Sequence, residues 1–313
     1  MKYIFGPVPS RRFGRSLGID LFPKQKYCTF NCVYCEVGTG TPKKDLIDFD
    51  YRVVLKELKE WLIKNHKALP DFITFAGSGE PTLYKSLGDL IKGIKEITHI
   101  PVVILTNGSL LFKKEIRENC KQCNYLVPSL DAGTEKTFLK INRPHREFSD
   151  YNRYVNGLIE MRKEFKGHYL LEVLLVEGIN TTEEEFLHIK EKIDLIKPDK
   201  VQINTVFRPP AEGFAKSASE ESINKLKNIL GDIAEPVKYY SSNGSVIEHL
   251  KGELLKEVVL KTVGIRPCTI QELSDSLSIN TSKLKSLVKK LEKDGLIEFF
   301  EYNGETHIKR IKD

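Results

Sequence analysis

Length, composition and charge limit the kind of protein that this sequence encodes. The chain has 313 residues, 40% of them hydrophobic and 29% charged, with a formal net charge of +6. These values are ordinary for a globular protein, and the mild basic excess does not by itself indicate nucleic-acid binding. No run approaches the roughly 18 apolar residues of a membrane span, and the amino terminus lacks a secretory signal. We therefore expect a cytoplasmic protein that binds no membrane.

Strand-like apolar runs alternate with amphipathic helical patterns along residues 1–235, the first predicted domain. The predicted strands are residues 16–22, 72–77, 101–107, 125–131, 170–178 and 200–207. Helical patterns between them include residues 52–66, 86–97 and 183–196. This alternation indicates βα units around a parallel sheet. Six such units suffice for a partial (βα)6 barrel, so the predicted fold class is α/β.

Residues 253–313 have a different pattern and form a second predicted domain, with residues 236–252 as the linker. Three helical segments precede two strand-like runs that flank Asn303-Gly304, a pair typical of tight hairpin turns. Three helices and a hairpin indicate a small winged helix-turn-helix domain. The predicted caps and core positions of its third helix are Thr281, Ser282, Leu284, Leu287 and Leu291.

Three of the six cysteines are clustered in CTFNCVYCEVG, residues 28–38: Cys28, Cys32 and Cys35. Thiolates are soft ligands suited to zinc or to iron–sulfur clusters. A closed zinc site takes four ligands, and the next histidine, His66, lies within a predicted helix. Three thiolates on a four-iron cluster would leave one iron without a protein ligand. The spacing alone leaves open both a zinc site with a remote fourth ligand and a cluster.

The segment CTFNCVYC resembles the CxxxCxxC signature of radical S-adenosylmethionine (AdoMet) enzymes. The resemblance implies one [4Fe–4S] cluster on Cys28, Cys32 and Cys35, with AdoMet on the open iron and Tyr34 beside the adenine. In that superfamily an electron cleaves AdoMet to a 5′-deoxyadenosyl radical, which abstracts a hydrogen from the substrate. An electron donor such as ferredoxin or flavodoxin is implied as a partner.

Two further predicted strands end in segments that fit this resemblance. The segment FAGSGEP resembles the superfamily's GGEP element, which implies that Gly77, Ser78, Gly79 and Glu80 contact AdoMet. Glycine allows backbone to approach a ligand closely, but the same residues also suit a plain strand-to-helix turn. Ligand-binding groups belong at the carboxyl ends of barrel strands. The segment LTNG places Thr106 and Asn107 there, either as AdoMet contacts or as an ordinary turn.

Other polar residues in or after the later strands are weaker candidates. Polar groups within apolar runs need partners, which could be AdoMet or an internal network. The candidates for cofactor binding are Ser129, Asp131 and Glu172, and those for a catalytic role are Arg143, Asn204 and Arg208. The guanidinium groups of Arg11, Arg12 and Arg15 could hold a phosphate or carboxylate, or form surface ion pairs.

The segments GPVPSRRFGRSLGID, PSLDAGTEKTFLKINRPH and VEGINTTEEEF look like the wyosine-synthase-related group of radical AdoMet proteins, most of whose substrates are unassigned. Relatives in that group that modify tRNA carry further cysteines before the AdoMet motif, which hold a second cluster. Here no cysteine precedes Cys28, so wyosine synthesis is doubtful. The other three cysteines, Cys120, Cys123 and Cys268, could hold a second cluster but suit structural thiols better.

Two hypotheses of function follow. In the first, the protein is an enzyme that modifies tRNA or a protein side chain by radical chemistry. In the second, the barrel senses AdoMet or redox state and the winged helix binds DNA. Lys283, Lys285, Lys289 and Lys290 of the third helix could contact phosphates or form a solvated face. A reducible cluster with an open iron favours the enzyme.

Overall fold

The computed structural model describes residues 1–10, 12–237, 252–265, 267–277, 279–302 and 304–311. Arg11, Asn303 and nearly all of the predicted linker lie outside the described residues. Within the described residues, no helix is long and apolar enough to cross a membrane.

One eight-stranded sheet organises the first domain, with its strands in chain order from β1 to β8. The first pair is antiparallel and every other neighbouring pair is parallel. The strands are β1 (Ile4–Ser10), β2 (Gly14–Ile19), β3 (Phe72–Phe75), β4 (Val102–Thr106), β5 (Tyr125–Pro128), β6 (His168–Leu175), β7 (Lys200–Thr205) and β8 (Ala234–Pro236).

Seven helices connect the parallel strands. They are α1 (Arg52–Lys64), α2 (Leu87–Ile97), α3 (Lys114–Cys120), α4 (Glu135–Asn142), α5 (Tyr151–Glu164), α6 (Glu183–Ile196) and α7 (Glu220–Leu230). Four of them begin at a side chain that accepts a backbone N–H of the first turn, namely Thr134, Asp150, Thr182 and Ser219. The apolar faces of the helices and strands share one continuous core.

The sequence-based prediction of a partial barrel of βα units is confirmed. The six predicted strands all form, with carboxyl ends one to three residues earlier than predicted. Strands β1 and β8 were not predicted, and they extend the sheet at its two edges. Proline has no backbone N–H to donate to a neighbouring strand, so the two prolines of IFGPVPS argue against a strand in the sequence. An edge strand tolerates them because one of its sides has no partner strand.

Aromatic packing fills part of the amino-terminal end of the barrel. Phe13, in the turn between β1 and β2, is only 4% exposed and packs among inward-facing strand residues. Its ring meets the rings of Phe72 and Tyr125 edge-on, at centroid distances of 5.3 and 5.8 Å. These rings pack with apolar residues of β3 to β6 and fill that side of the barrel end.

The carboxyl-terminal residues form a second unit with its own core. Its elements are α8 (Gly252–Ile265), β9 (Cys268–Thr269), α9 (Ile270–Leu277), α10 (Thr281–Lys293), β10 (Ile297–Tyr302) and β11 (Glu305–Arg310). The three strands form one sheet in the order β10–β11–β9. The order helix, strand, helix, helix and hairpin is that of a winged helix, as the fold-class prediction stated.

Two details of the predicted third helix were wrong. The N-cap of α10 is Asn280, whose Oδ1 accepts the backbone N–H of Ser282, so Thr281 and Ser282 lie within the first turn. The core residue between Leu284 and Leu291 is Val288, and Leu287 is only partly buried. Helical geometry favours the i, i+4, i+7 spacing that Val288 provides.

Candidate cofactor and substrate site

The three clustered cysteines lie in the loop that follows β2, where the loop is held against the end of α4. The backbone N–H of Val33 donates to the carbonyl of Ile141 at 3.0 Å, and that of Asn31 to the carbonyl of Asn142 at 3.0 Å. Phe30 is buried and anchors the same loop in the core, edge-on to Phe138. The loop is thus fixed while Cys28, Cys32 and Cys35 remain partly exposed.

Two asparagine amides face two of these sulfurs. Asn107 Nδ2 lies 3.4 Å from Cys28 Sγ, and Asn142 Nδ2 lies 3.5 Å from Cys32 Sγ. Burial raises the pKa of the Cys28 thiol to about 12, and burial together with the neighbouring Cys28 raises the pKa of Cys32. Ionised thiols here therefore need a cationic partner as well as the amide donors.

The segment FAGSGEP joins the cysteine loop to the end of β3. Asp20 accepts two hydrogen bonds from Ser78, from the backbone N at 3.1 Å and from Oγ at 2.8 Å. The backbone of Tyr27, next to Cys28, pairs with Ser78 and Glu80 at 3.0 and 2.9 Å. Gly77 has a φ of +136°, and a Cβ at Gly79 would lie 2.0 Å from the Tyr27 carbonyl oxygen. Both glycines are therefore required by this close backbone approach.

Glu80 ties the ends of β3 and β4 together. Its carboxylate, 2% exposed, accepts hydrogen bonds from Thr106 Oγ1 at 2.5 Å and from the backbone N of Asn107 at 2.7 Å. It also accepts from the backbone and hydroxyl of Thr82. Burial raises the pKa of this carboxyl, while those four donors favour the ionised form. The side chains of Glu80 and Thr106 are thus directed at each other, and the side chain of Asn107 continues to Cys28 and Thr29 in the cysteine loop.

A second polar network lies under Tyr34. Its hydroxyl donates to Asp131 Oδ2 at 2.5 Å, and Asn142 Nδ2 donates to the same oxygen at 2.8 Å. The other carboxylate oxygen accepts the backbone N of Leu174 at 3.0 Å. Burial raises the pKa of Asp131 to about 6. Asp131 thus orients the tyrosine and the asparagine near Cys32, whereas Ser129 is held by its backbone, which bridges to Glu172 and donates to the carbonyl of Thr106.

A cavity of about 350 Å³ runs from the third cysteine into the barrel. Its upper wall includes Tyr34, Cys35, Gly77 and Gly79. The barrel side is formed by inward-facing residues of the parallel strands, namely Ser16, Thr74, Leu105, Glu172, Leu174 and Asn204. Residues of β1 and the turn that follows it complete the wall, including Phe5, Val8, Ser10 and Arg12. This volume lies within the range of small-ligand sites.

Charged side chains occupy two places in the cavity wall. Arg12 Nη1 lies 2.7 Å from Glu172 Oε1, the same oxygen that accepts Asn204 Nδ2 at 2.7 Å. Arg208, which follows β7, contacts Glu36 at 3.2 Å, one residue beyond Cys35. The predicted catalytic residues Asn204 and Arg208 are therefore both brought to the cavity.

Arg143 is not brought to the cavity. Its guanidinium pairs with Glu212 and lies 5.8 Å from the ring centroid of Phe214, on a side chain that is 38% exposed. Its backbone is left-handed, with a φ of 45°, because it caps the carboxyl end of α4. This geometry supports a structural role for Arg143.

The remaining cysteines are divided between the two cores. Cys120 and Cys123 are buried in the barrel core, whereas Cys268 is buried in the winged-helix core. Burial raises the thiol pKa of both Cys120 and Cys123. Among the described residues, no three His, Cys, Asp or Glu side chains converge on a single metal ion.

Several residues of the site were missed by reasoning from the sequence. Asp20 ends the segment SLGID, so its position at a strand end was a usable signal. Asn142 and Glu36 carry no such signal. Their partners Cys32 and Arg208 are 110 and 172 residues away in the chain.

Comparisons with known proteins agree with this geometry. A family model described as Radical SAM superfamily matches residues 22–193. A UPF0026 protein of Methanocaldococcus jannaschii is 30% identical, and the match covers 100% of this chain and 97% of that protein. A protein named GTPase Obg of Brachyspira hyodysenteriae is 41% identical over 97% of this chain, but the chain spans only 44% of its length. The solved structure of TYW1 with a lysine–pyruvate adduct has a TM-score of 0.51 at 20% identity, covering 72% of this chain and 75% of that one.

Proposed function

This chain belongs to the radical SAM superfamily, and from that premise we propose that it cleaves AdoMet reductively and abstracts a hydrogen atom from a substrate held in its barrel. Members of the superfamily use a [4Fe–4S] cluster and AdoMet. The observation that carries the proposal is the cavity that joins Cys35 to the inward-facing strand residues. A reactive group formed beside the thiols would face Glu172 and Asn204 directly.

The donor set fits one cluster. Three thiols lie on a loop that is fixed by the core, and burial raises the pKa of two of them, Cys28 and Cys32, which favours a cationic group beside those sulfurs. Asn107 and Asn142 direct amide N–H groups at two of the sulfurs, as suits thiolates that carry negative charge. Cys28, Cys32 and Cys35 would hold the cluster, and in its reduced state it would supply one electron for the reductive cleavage of AdoMet.

The chain's own residues would bind AdoMet and orient it. Gly77 and Gly79 present backbone at the upper cavity wall, where a charged amino acid group such as that of AdoMet can be hydrogen-bonded. Tyr34, fixed by Asp131, supplies an aromatic surface for a base. Glu80 and Thr106 act indirectly in this proposal, because they hold Asn107 and the two strand ends in place.

The substrate's hydrogen donor would occupy the lower half of the cavity. Phe13 packs with apolar residues of β3 to β6 at the amino end of the barrel. Arg12, Glu172 and Asn204 supply polar contacts there. We propose a nucleotide of tRNA or a protein side chain as the group that enters, with a ferredoxin or flavodoxin as electron donor.

The residues of this chain do not support two activities suggested by the names of similar proteins. The TYW1 structure contains a lysine–pyruvate adduct, whereas none of the described residues that line this cavity is a lysine. The GTPase activity in the name of the Brachyspira hyodysenteriae relative would need a phosphate loop with a Gly-Lys pair, and the present sequence contains no such pair. Neither the family match nor these relatives support the alternative of a DNA-binding regulator.

The test is anaerobic and uses the whole chain. The reconstituted protein, given AdoMet and dithionite, should form 5′-deoxyadenosine, measured by liquid chromatography and mass spectrometry. Cys35→Ala should abolish this product, because it removes one of three cluster ligands. Cys123→Ala is the matched control, since its thiol is buried in the barrel core away from the cavity, and it should retain the activity. A wild-type protein that binds iron but forms no 5′-deoxyadenosine would refute the proposal.

A further inference from the structure

The partial barrel has a gap between its two sheet edges, and the winged-helix unit lies across it. Strands β1 and β8 are the edges of the sheet and are not paired with each other. Helices α8 and α9 both contact β1. On the other side of the gap, Glu272 of α9 reaches Arg208, which lies just beyond β7. Helix α9 therefore contacts both the edge strand β1 and the segment that follows β7, the neighbour of the other edge strand.

The contact with Arg208 is buried and leads to the cysteine loop. Arg208 Nη2 donates to Glu272 Oε1 at 2.8 Å, and the side chains are 7% and 10% exposed. Nη1 of the same guanidinium contacts Glu36, which is adjacent to Cys35. Arg208 and Glu36 both line the cavity. Arg208 thus joins a residue of the winged-helix unit to the cavity wall.

A second contact holds the unit on the same strand. Lys261 Nζ of α8 donates to the carbonyl oxygen of Met1 at 3.0 Å and to that of Ile4 in β1. Strand β1 in turn supplies Phe5, Val8 and Ser10 to the cavity wall. The docked unit therefore supports two parts of the wall, β1 and Arg208.

We propose that the winged-helix unit closes the side of the active site and that its Glu272 is a positioning residue for Arg208. This inference rests on the proposed function of the cavity but concerns how the cavity is completed. It also gives α9, the first helix of the helix-turn-helix, a protein partner in place of a DNA backbone. In the docked state, the substrate group must fit the closed cavity or enter from its carboxyl-terminal end.

Glu272 also has a local role that the experiment must separate. Its Oε2 accepts the backbone N–H of Thr269 at 2.8 Å, and its own N–H donates to Thr269 Oγ1 at 3.1 Å. This reciprocal pair is a capping box at the start of α9. Glutamine serves equally well in a capping box, so Glu272→Gln keeps the cap and removes the charge that pairs with Arg208. Thr269→Ala does the opposite and is the matched control.

The measurement is the dissociation constant of AdoMet, determined anaerobically by equilibrium dialysis on the iron-loaded full chain. Glu272→Gln should weaken AdoMet binding about tenfold, because a buried guanidinium loses a charged partner, at unchanged iron content. Thr269→Ala should change the constant by less than about twofold, since the Arg208 contact remains. Equal constants in the two variants, or no change in Glu272→Gln, would overturn the proposal and leave reductive cleavage of AdoMet untouched.

A second variant decides the case if Glu272→Gln does not fold. Lys261→Met removes the contact with the carbonyl of Ile4 and leaves both α9 and the cavity residues unchanged. Hydrogen exchange of the β1 amides should then become about tenfold faster, because local opening of the docked unit exposes that edge. Unchanged β1 exchange in Lys261→Met would contradict the docking role of the unit.

Discussion

The two ends of the barrel sheet are built from different kinds of side chain. At the carboxyl end, two separate hydrogen-bonded networks surround the buried carboxylates of Glu80 and Asp131, with distances of 2.5–3.0 Å. At the amino end, Phe13 packs its ring against other aromatic rings. A buried polar network holds side chains in defined orientations, but any group left without a hydrogen bond destabilises the fold. Apolar packing stabilises the fold without fixing the orientation of a polar group. Changes at the two ends should therefore affect different measurements.

The largest effect on stability is expected at the amino end. Phe13→Ala should lower the free energy of unfolding by about 3–5 kcal/mol, because it removes a buried ring from a packed cluster. Iron content should stay at the wild-type value. The check is urea denaturation followed by fluorescence, with Phe214→Ala as the control, since Phe214 is 54% exposed. Loss of iron at an unchanged free energy of unfolding would contradict the different roles of the two ends.

The next effect is on function at the carboxyl end. Glu80→Gln leaves donors of Thr106, Thr82 or Asn107 without a full set of acceptors, at a cost of about 1–3 kcal/mol. Displacement of Asn107 that raises the activation free energy by this amount should slow 5′-deoxyadenosine formation about tenfold to a hundredfold. The rate is measured under anaerobic single-turnover conditions. Wild-type rates in Glu80→Gln would show that the network only stabilises the fold.

A smaller effect is expected on the midpoint potential of a cluster bound at the site. Asn142→Ala removes an amide donor from Cys32, and N–H···S hydrogen bonds favour the reduced, more negative state of a cluster. The midpoint potential should fall by about 20–60 mV, which corresponds to one ordinary hydrogen bond in a one-electron couple. Asn124→Ala, whose side chain caps the start of β4 at the other end of the sheet, should leave the potential unchanged. A shift of the same size in both variants would contradict the account.

The smallest effect lies on the outer surface, away from both ends. Hydrogen bonds from Arg117 and Lys121 lower the pKa of Glu164 to about 2, so its ionised form stabilises the fold. That contribution is present above the ordinary glutamate pKa and disappears as the pH falls from about 4.5 towards 2. Since Glu164 is 26% exposed, Glu164→Gln should cost at most about 1 kcal/mol at pH 7. Thermal unfolding of the two apo-proteins should converge near pH 2, and a constant difference would refute this assignment.

Features that depend on neighbours in the chain were predictable from the sequence. The spacing of Cys28, Cys32 and Cys35 and the glycines at the end of β3 are local patterns, and the periodicity of the strands gave the barrel. The polar network around Asp131 was not predictable, because Asn142 and Cys32 are separated by 110 residues. The Arg208–Glu272 pair likewise joins residues 64 apart in two different units. Such contacts follow from the tertiary fold and leave no periodic signal.

Iron stoichiometry combined with electron paramagnetic resonance tests the central claim most directly. If Cys28, Cys32 and Cys35 hold one cluster, as proposed, the reconstituted chain should contain about four irons. The signal of the reduced protein should then change when AdoMet is added, since three thiols would leave one iron open to it. About eight irons per chain, or a reduced signal that AdoMet leaves unchanged, would contradict a single open cluster at Cys28, Cys32 and Cys35.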